Sequence, residues 1–356
     1  MTGSLDPIPL RALLRAMPKA ELHLHLDGSV LPHTALDIVR TRGIDAPRDW
    51  AGIVAALVAP PVCRDQAELI AAFDFPIALL QDADALARVT RELVEWKAAD
   101  GVRYMEIRWA PALHTRRGLG LADGIAAVCD GAEHGAAETG AVVRLVCTAM
   151  RTHDPAHNVE VAAMAARFRD RGVVGFDLAG PERRAPDAGA HRAAFDAARA
   201  GGLRITLHAG EWGGASQVRA ALDLDPERIA HGPLAIDDPA LCDELIARGV
   251  TLDLCPTSNA QASIVPSVAA HPLARLARVG VPVTLSTDDL TVSDIELSEE
   301  YRRAVEEIGL TLPELWTIDR HALDVAFADE ETLARLRGEF DAWATLVPEL
   351  RASGGA

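Results

Sequence analysis

The chain has 356 residues, of which 49% are hydrophobic and 24% charged, so it is long enough to bury a large core. Its formal net charge of -17 at pH 7 disfavours partners with a phosphate backbone, and nucleic-acid binding is not expected. A neutral or cationic small molecule fits this charge better, whereas an anionic substrate would need a local cluster of arginines.

Eight short apolar runs alternate with longer stretches rich in Ala, Leu, Arg and Glu at helical spacing. Such runs are typical of buried parallel strands joined by crossover helices, so the pattern predicts an α/β fold of the (β/α)8 TIM-barrel type. We expect a single domain over residues 1–356. The predicted strands are Glu21–His25, Val102–Arg108, Val142–Thr148, Val173–Leu178, Leu203–His208, Arg228–His231, Thr251–Cys255 and Val283–Asp288.

More than seventy residues separate the first two predicted strands, which is more than one crossover helix needs. The excess predicts extra helices inserted after the first strand, and it includes Asp49–Pro61 and the stretch around Phe73, Phe75 and Pro76. Long insertions on a barrel are often lids over the active site. A helix pair packed against the side of the barrel is the alternative interpretation.

No segment has the pattern of an export or membrane signal. Met1–Pro9 is polar and interrupted by prolines, and no apolar run reaches the roughly 18 residues that span a bilayer. We therefore expect a cytoplasmic protein without a membrane partner, and the pattern does not predict an oligomeric state. The cysteines are odd in number and lack the spacing of a metal site: Cys63, Cys129, Cys147, Cys242 and Cys255.

Polar residues gather at the carboxyl ends of the predicted strands, which is the end that bears the active site of such barrels. His23 and His25 lie two residues apart on the first strand, so both side chains point to one face. Neutral imidazoles at this spacing suit Zn²⁺, although His-x-His alone is a weak signal. Asp27 and Gly28 follow directly and make the motif more specific.

Three later strands end in candidate ligands or acids. His208 opens the motif His-Ala-Gly-Glu, in which it is either a hydrogen-bonded core histidine or a ligand, and Glu211 faces the same pocket. His231 follows the sixth strand. Asp288 and Asp289 end the eighth strand, where two adjacent carboxylates repel each other unless a cation or a proton intervenes. A surface loop would also tolerate such a pair.

These residues predict a mononuclear centre in which His23, His25, His208 and Asp288 bind one Zn²⁺ per chain and a water completes the site. Zinc lowers the pKa of such a water from about 16 to about 7. Glu211 and His231 remain as acid and base, and a donor role for Glu211 requires a raised pKa. The chain has only two lysines, which disfavours a two-metal centre bridged by a carbamylated lysine.

The motifs resemble those of adenosine deaminase and its close relatives within the amidohydrolase superfamily. The resemblance extends over roughly four-fifths of the chain, in family order. The matching segments are Lys19–Gly28, Asp177–Glu182, His208–Glu211, Ile229–Gly232, Cys255–Pro256 with Ser258–Asn259, and Ser286–Asp289.

The resemblance implies hydrolytic deamination of adenosine or 2′-deoxyadenosine to the inosine product and ammonia, by attack of a zinc-activated water on C6 of the purine. It implies that Glu211 protonates N1 and that His231 orients the attacking water and helps to take its proton. It further implies that Asp289 hydrogen-bonds N7, that the N–H of Gly180 meets N3, and that Asp27 contacts the ribose 5′-hydroxyl.

Two positions depart from the family pattern and both flank the expected pocket. Trp212 follows Glu211 where a smaller residue is common, and Leu290 stands where Asp289 is usually followed by proline. They put the non-purine part of the substrate in doubt, so adenine and aminodeoxyfutalosine remain alternatives. The stretch Leu69–Phe75 resembles the segment that covers the ribose in nucleoside-using relatives and favours adenosine.

Two other classes of function remain open on the sequence alone. A different mononuclear amidohydrolase, cleaving a cyclic amide or ester, would use the same ligands but gives Glu211 no role. A binding protein that kept the barrel would be expected to have lost a ligand or Glu211, and none is lost. Zinc content and ammonia release separate these alternatives from a deaminase.

Overall fold

The computed structural model describes residues 9–351, and eight parallel strands follow one another around the sheet in chain order. The first and last strands meet through a bridge between Leu24 and Asp288. Two backbone hydrogen bonds form this bridge. The N–H of Asp288 donates to the carbonyl oxygen of His23 at 3.1 Å, and the N–H of His25 donates to the carbonyl oxygen of Asp288 at 2.7 Å. The strands form a nearly closed barrel surrounded by helices, which confirms the predicted (β/α)8 fold.

The bounds of the elements are as follows. The strands are β1 Lys19–His25, β2 Val102–Trp109, β3 Val142–Met150, β4 Val173–Ala179, β5 Arg204–His208, β6 Arg228–Ala230, β7 Thr251–Leu254 and β8 Val283–Leu285. The helices are α1 Leu10–Ala16, α2 Pro32–Arg42, α3 Trp50–Leu57, α4 Gln66–Ala71, α5 Asp74–Leu79, α6 Ala83–Ala99, α7 Leu121–Thr139, α8 Pro155–Ala166, α9 Arg192–Ala200, α10 Ala215–Leu222, α11 Pro239–Arg248, α12 Pro256–Gln261, α13 Leu273–Arg278, α14 Leu297–Glu306, α15 Leu312–Asp324, α16 Glu330–Ala344 and α17 Pro348–Arg351.

Three strands end earlier than the sequence predicts, and two of them end before candidate site residues. β7 ends at Leu254, β6 ends at Ala230 just before His231, and β8 ends at Leu285, three residues before Asp288. His231 has φ +69° and Asp288 has φ +68°, a region that L-residues rarely adopt. The backbone therefore turns sharply at both residues, and their side chains lie at the mouth of the barrel.

Helices α2 to α6 fill the long insertion after β1, which confirms the predicted extra helices. The last of them, α6, lies so close to α7 that a Cβ on Gly131 would be 2.3 Å from the carbonyl oxygen of Ala87. The middle of the insertion instead reaches the carboxyl ends of the strands, where Leu69 packs in an apolar cluster with Ala262 and Val292. The insertion thus both packs beside the barrel and forms a wall over its mouth.

The opposite end of the barrel is closed by the C-terminal helices. Leu323, Leu336 and Phe340 pack against Leu22 and Tyr104 from the barrel strands in a buried cluster. No helix within residues 9–351 is long and apolar enough to cross a membrane. A single domain over residues 1–356 stays a prediction, since both termini lie outside the described residues.

Candidate active site

Four side chains from three strand ends converge at the mouth of the barrel. His23 Nε2 lies 3.3 Å from His25 Nε2, which lies 3.1 Å from His208 Nε2. Asp288 Oδ1 lies 3.0 Å from the Nε2 of His23 and 3.4 Å from that of His25. These are the four predicted metal ligands, and the structure brings their donor atoms within 4.8 Å of one another.

The spacing and protonation of this cluster fit a metal ion. Adjacent ligand atoms that each lie about 2.0–2.1 Å from one zinc ion are roughly 3–3.5 Å apart, which matches the four distances given above. Burial lowers the pKa of His23 and that of His208, so both imidazoles are neutral and have a lone pair to offer. Burial alone would raise the pKa of Asp288, but the imidazoles, His23 first, hold it well below its usual range.

A second group of possible ligands, His23, His231 and Cys255, lies beside the first. Burial raises the pKa of the Cys255 thiol well above its usual value. Because a thiol binds metal as the thiolate, this environment disfavours Cys255 as a ligand. The cluster of three histidines and one aspartate is therefore the better metal site.

Buried partners orient two of the four side chains. Asp177, at the end of β4, accepts from Nδ1 of His208 at 3.1 Å and from the hydroxyl of Thr148 at 3.1 Å. This bond places the proton of His208 on Nδ1 and leaves Nε2 free toward the cluster. On the other side, the hydroxyl of Ser258 donates to Asp288 Oδ2 at 2.6 Å.

Glu211 lies beside the cluster, with its side chain 12% exposed. Its Oε1 is 3.8 Å from Nε2 of His231. Burial, with smaller contributions from the charges of Asp288 and Glu182, raises the pKa of Glu211 well above its usual value. The raised pKa favours the protonated form of this carboxyl, which is the form that the proton-donor role expected from the sequence requires.

Glu182 accepts hydrogen bonds from the backbone of the loop that carries Glu211. Its position in the sequence did not predict this role. One carboxylate oxygen of Glu182 accepts from the N–H of Gly210 at 2.6 Å. The other accepts from the N–H groups of Trp212 and Gly213, both at 2.8 Å. Glu182 itself is buried, so these charge-assisted bonds fix the backbone on both sides of Glu211.

Asp289 and Asp27 line the same pocket with unpartnered carboxylate oxygens. Oδ1 of each is buried and has no hydrogen-bond partner among the described residues. Burial, followed by the charges of Asp288 and Asp27, raises the pKa of Asp289 well above its usual value. For Asp27 the effect of burial is outweighed by the imidazoles of His114 and His25, so its pKa is lowered.

These side chains surround a cavity of about 470 Å³ at the mouth of the barrel. Gly180 lines it with φ +112°, and a Cβ there would come within 3.3 Å of the Met150 side chain. The insertion supplies one apolar wall through Leu69 and Phe73. All the predicted substrate-contacting residues therefore share one cavity with the histidine and aspartate cluster.

Of the two departures from the family pattern, Trp212 lines this cavity and Leu290 does not. The indole N–H of Trp212 donates to the carbonyl of Ala262 at 3.3 Å. The ring packs against the apolar cluster that contains Leu69 and Val292. Leu290 is buried directly after Asp289, which does line the cavity. Trp212 therefore contacts the wall that the insertion forms, whereas Leu290 has no direct part in the lining.

Solved structures with the same architecture define the class of protein. The chain is similar to the adenine deaminase from Arthrobacter aurescens, with a TM-score of 0.86 and 28% identity over 93% of this chain and all of that chain. It is also similar to an amidohydrolase from Burkholderia ambifaria with bound Zn, with a TM-score of 0.85 and 28% identity over 99% and 98% of the two chains. The molecule is a hydrolytic deaminase on an amidohydrolase barrel.

Sequence relatives narrow the class to one family. A family model described as adenosine deaminase matches residues 18–343. The adenosine deaminase of Enterococcus faecalis is 35% identical over 92% of this chain and 97% of its own length. The aminodeoxyfutalosine deaminase of Acidothermus cellulolyticus is 38% identical over 83% of each chain. The chain belongs to the adenosine deaminase family.

Proposed function

We propose that the chain hydrolyses the 6-amino group of adenosine, or of 2′-deoxyadenosine, to the inosine product and ammonia. The observation that supports this most strongly is the carboxyl of Glu211, whose pKa is raised well above its usual value, next to a cluster of three histidines and one aspartate. Hydrolysis of a cyclic amidine needs both a nucleophile and an acid for the ring nitrogen, and these groups face one cavity. If the chain were instead a mononuclear amidohydrolase of another kind, Glu211 would have no catalytic role.

The metal in this proposal is a single Zn²⁺ held by His23, His25, His208 and Asp288. The support is the spacing of 3.0–3.4 Å between neighbouring donor atoms, their protonation, and the zinc in the related amidohydrolase. When bound, Zn²⁺ lowers the pKa of a coordinated water to about 7 and so supplies a nucleophile at neutral pH.

The surrounding side chains then bind and polarise the purine. Glu211 donates its proton to N1, which makes C6 electrophilic, and the raised pKa keeps that proton available. Asp289, whose pKa is also raised, donates to N7. The N–H of Gly180 meets N3, and the ionised Asp27 accepts from the ribose 5′-hydroxyl. The donors to the ring nitrogens bind more strongly as negative charge moves onto the ring, as transition-state stabilisation requires, whereas Asp27 contributes to binding of the ribose.

His231 lies at the cluster on the side of Glu211, with Nε2 3.7 Å from Oδ2 of Asp288. Burial lowers its pKa to about 3, so its ring is neutral. It orients the attacking oxygen beside C6. The apolar wall of Leu69 and Phe73 stands over the outer part of the cavity, where a ribose follows the purine. This wall favours a nucleoside over free adenine.

A second candidate substrate is a 6-aminopurine nucleoside with an anionic substituent beyond the ribose. Arg116 and Arg184 both line the cavity and are exposed at its edge. Neither guanidinium has an ion-pair partner among residues 9–351. This is the local arginine cluster that a chain of net charge -17 would need for an anion. Asp74 lines the same edge, however, and opposes an anion there.

The test is turnover of a substrate panel by the zinc-loaded protein, followed by the change in purine absorbance. The panel is adenosine, 2′-deoxyadenosine, adenine, AMP and aminodeoxyfutalosine. We expect adenosine to react with a kcat/KM above roughly 10⁴ M⁻¹s⁻¹, typical of a true substrate. Preference for an anionic member, lost in Arg116→Ala and Arg184→Ala, would move the substrate to the second candidate. No turnover of any member would contradict the proposed deamination.

A further inference from the structure

His231 is the end of a buried chain of hydrogen bonds that begins at a backbone amide. Its Nδ1 lies 3.1 Å from Nδ2 of Asn259, whose Oδ1 lies 3.1 Å from Nε2 of His271. The N–H of Leu273 donates to Nδ1 of His271 at 3.2 Å. All four residues are buried, so water does not compete for these bonds.

The backbone amide at one end fixes the direction of every bond in this chain. An N–H of Leu273 can only donate, so Nδ1 of His271 is an acceptor and has a lone pair. Burial and the nearby His231 lower the pKa of His271 to about 3, so its ring is neutral and its single proton lies on Nε2. That proton is donated to Asn259, whose facing atom is therefore the carbonyl oxygen.

The amide of Asn259 transmits this direction to His231. With its oxygen turned to His271, the side chain presents its N–H₂ group to His231. Nδ1 of His231 must then be the acceptor, which places the proton of the neutral ring on Nε2. That nitrogen points into the site, 3.8 Å from Glu211 and 3.7 Å from Asp288.

We propose that Asn259 and His271 are positioning residues that hold His231 in its Nε2–H tautomer. His231 thereby faces the attacking oxygen as a hydrogen-bond donor, and its only lone pair is occupied on the far side of the ring. This differs from the sequence-based expectation that His231 helps to take a proton from that oxygen. A donor here instead aligns the oxygen and stabilises its negative charge. The catalytic part of this proposal rests on the proposed function.

Three substitutions distinguish an effect on the tautomer of His231 from an effect on side-chain packing. Asn259→Asp keeps the size of the side chain but offers only acceptors, so His231 must donate from Nδ1 and turn its lone pair to the site. His271→Leu removes the donor that orients the amide, whereas His271→Gln keeps an N–H₂ group at a similar position. Asn158→Asp is a matched control, because Asn158 is another buried asparagine that contacts a histidine, His191, at 3.0 Å.

The first measurement is the tautomer itself, from long-range ¹H–¹⁵N correlations of histidine-labelled, zinc-loaded protein. We expect His231 to show the Nε2–H pattern in the unaltered chain and the Nδ1–H pattern in Asn259→Asp. An Nδ1–H pattern in the unaltered chain would overturn the proposal. This readout does not depend on the substrate, so it also distinguishes a failure of the tautomer from a failure of the proposed function.

The second measurement is steady-state deamination with zinc content and unfolding midpoint recorded for each variant. Loss of one preorganised donor to a developing oxyanion lowers kcat by about 10²–10³-fold, and we expect that loss in Asn259→Asp with little change in KM. His271→Leu should lose turnover and His271→Gln should retain most of it. Asn158→Asp should lower the unfolding midpoint alone. Unchanged kcat in folded, zinc-loaded Asn259→Asp would contradict the proposal.

Discussion

The carboxylate of Glu182 beneath the Glu211 loop predicts a large loss of turnover when it is removed. In Glu182→Ala, the N–H groups of Gly210, Trp212 and Gly213 lose the oxygens that they reach at 2.6, 2.8 and 2.8 Å. A hydrogen bond to a charged group contributes about 1.5–3 kcal/mol, so the three together restrain the loop by about 5–9 kcal/mol before water replaces them. Because a shift of about 1 Å in reacting groups costs on the order of 10²-fold in rate, we expect kcat to fall by ~10²-fold or more.

The assay is steady-state deamination beside thermal unfolding of the same preparations. Glu314→Ala is the matched control, because Glu314 also accepts a backbone N–H, that of Thr311 at 2.7 Å, but does not line the active-site cavity. We expect the control to lose stability and keep kcat, and Glu182→Ala to lose kcat at temperatures where it is folded. An unchanged kcat in folded Glu182→Ala would refute the argument that this carboxylate positions Glu211.

Three further changes have defined outcomes. Asp177→Asn should weaken zinc binding by about 10–100-fold in competition with a chelator, because the amide no longer fixes the tautomer of His208; unaltered affinity would contradict this. Gly28→Ala should raise KM with zinc retained, since a Cβ would lie 1.7 Å from Oδ1 of Asp289, and an unchanged KM would argue against that close approach. Burial raises the pKa of Glu300 from 4.5 to about 7, so its contribution to stability is full at acid pH and is lost as pH rises through the folded pKa. The free energy of unfolding therefore falls by about 2 kcal/mol between about pH 5.5 and pH 8 on account of this group. Glu300→Gln should flatten the pH profile of the unfolding midpoint, and an equally steep profile in that variant would contradict the prediction.

The barrel could be predicted from the sequence because its strands are buried on both faces. Most of the strands contain a short apolar run, and the carboxyl ends of all eight share one face of the barrel. Polar residues at those ends, such as His208 and Asp288, were therefore expected to lie close together. The exact ends of β6 and β8 could not be predicted, because nothing in the local sequence pattern indicates the positive φ of His231 or of Asp288.

The residues that hydrogen-bond the active-site residues from other loops were harder to predict from the sequence. Glu182 lies past the end of β4 but supports the loop after β5, and His271 lies just before α13 but acts on the end of β6. Neither pairing follows from periodicity or from spacing within a motif, because each depends on how two loops approach in three dimensions. Arg116 and Arg184 likewise line one cavity only in the folded chain. The sequence indicated that an anionic substrate would need nearby arginines, but it did not indicate which arginines these are.

The length of the insertion after β1 predicted that it contains extra helices but not where those helices pack. Its excess predicted extra helices, and the alternatives were a lid or a pair packed on the side of the barrel. In the structure α6 packs on α7 beside the barrel as a crossover helix, and Leu69 from the middle of the insertion reaches the cluster beside Trp212 at the cavity. An apolar residue looks the same in sequence whether it faces the barrel wall or the active-site cavity.

In the proposed function, Glu211 protonates the purine during deamination, beside a zinc held by the histidine and aspartate cluster. The most direct test is ammonia release from adenosine by the unaltered chain and by Glu211→Gln, with zinc content and adenosine binding measured on both. We predict full zinc content and retained binding in Glu211→Gln, with turnover reduced by about 10²–10⁴-fold, the contribution of general acid catalysis. Near-normal ammonia release from zinc-loaded Glu211→Gln would contradict the claim.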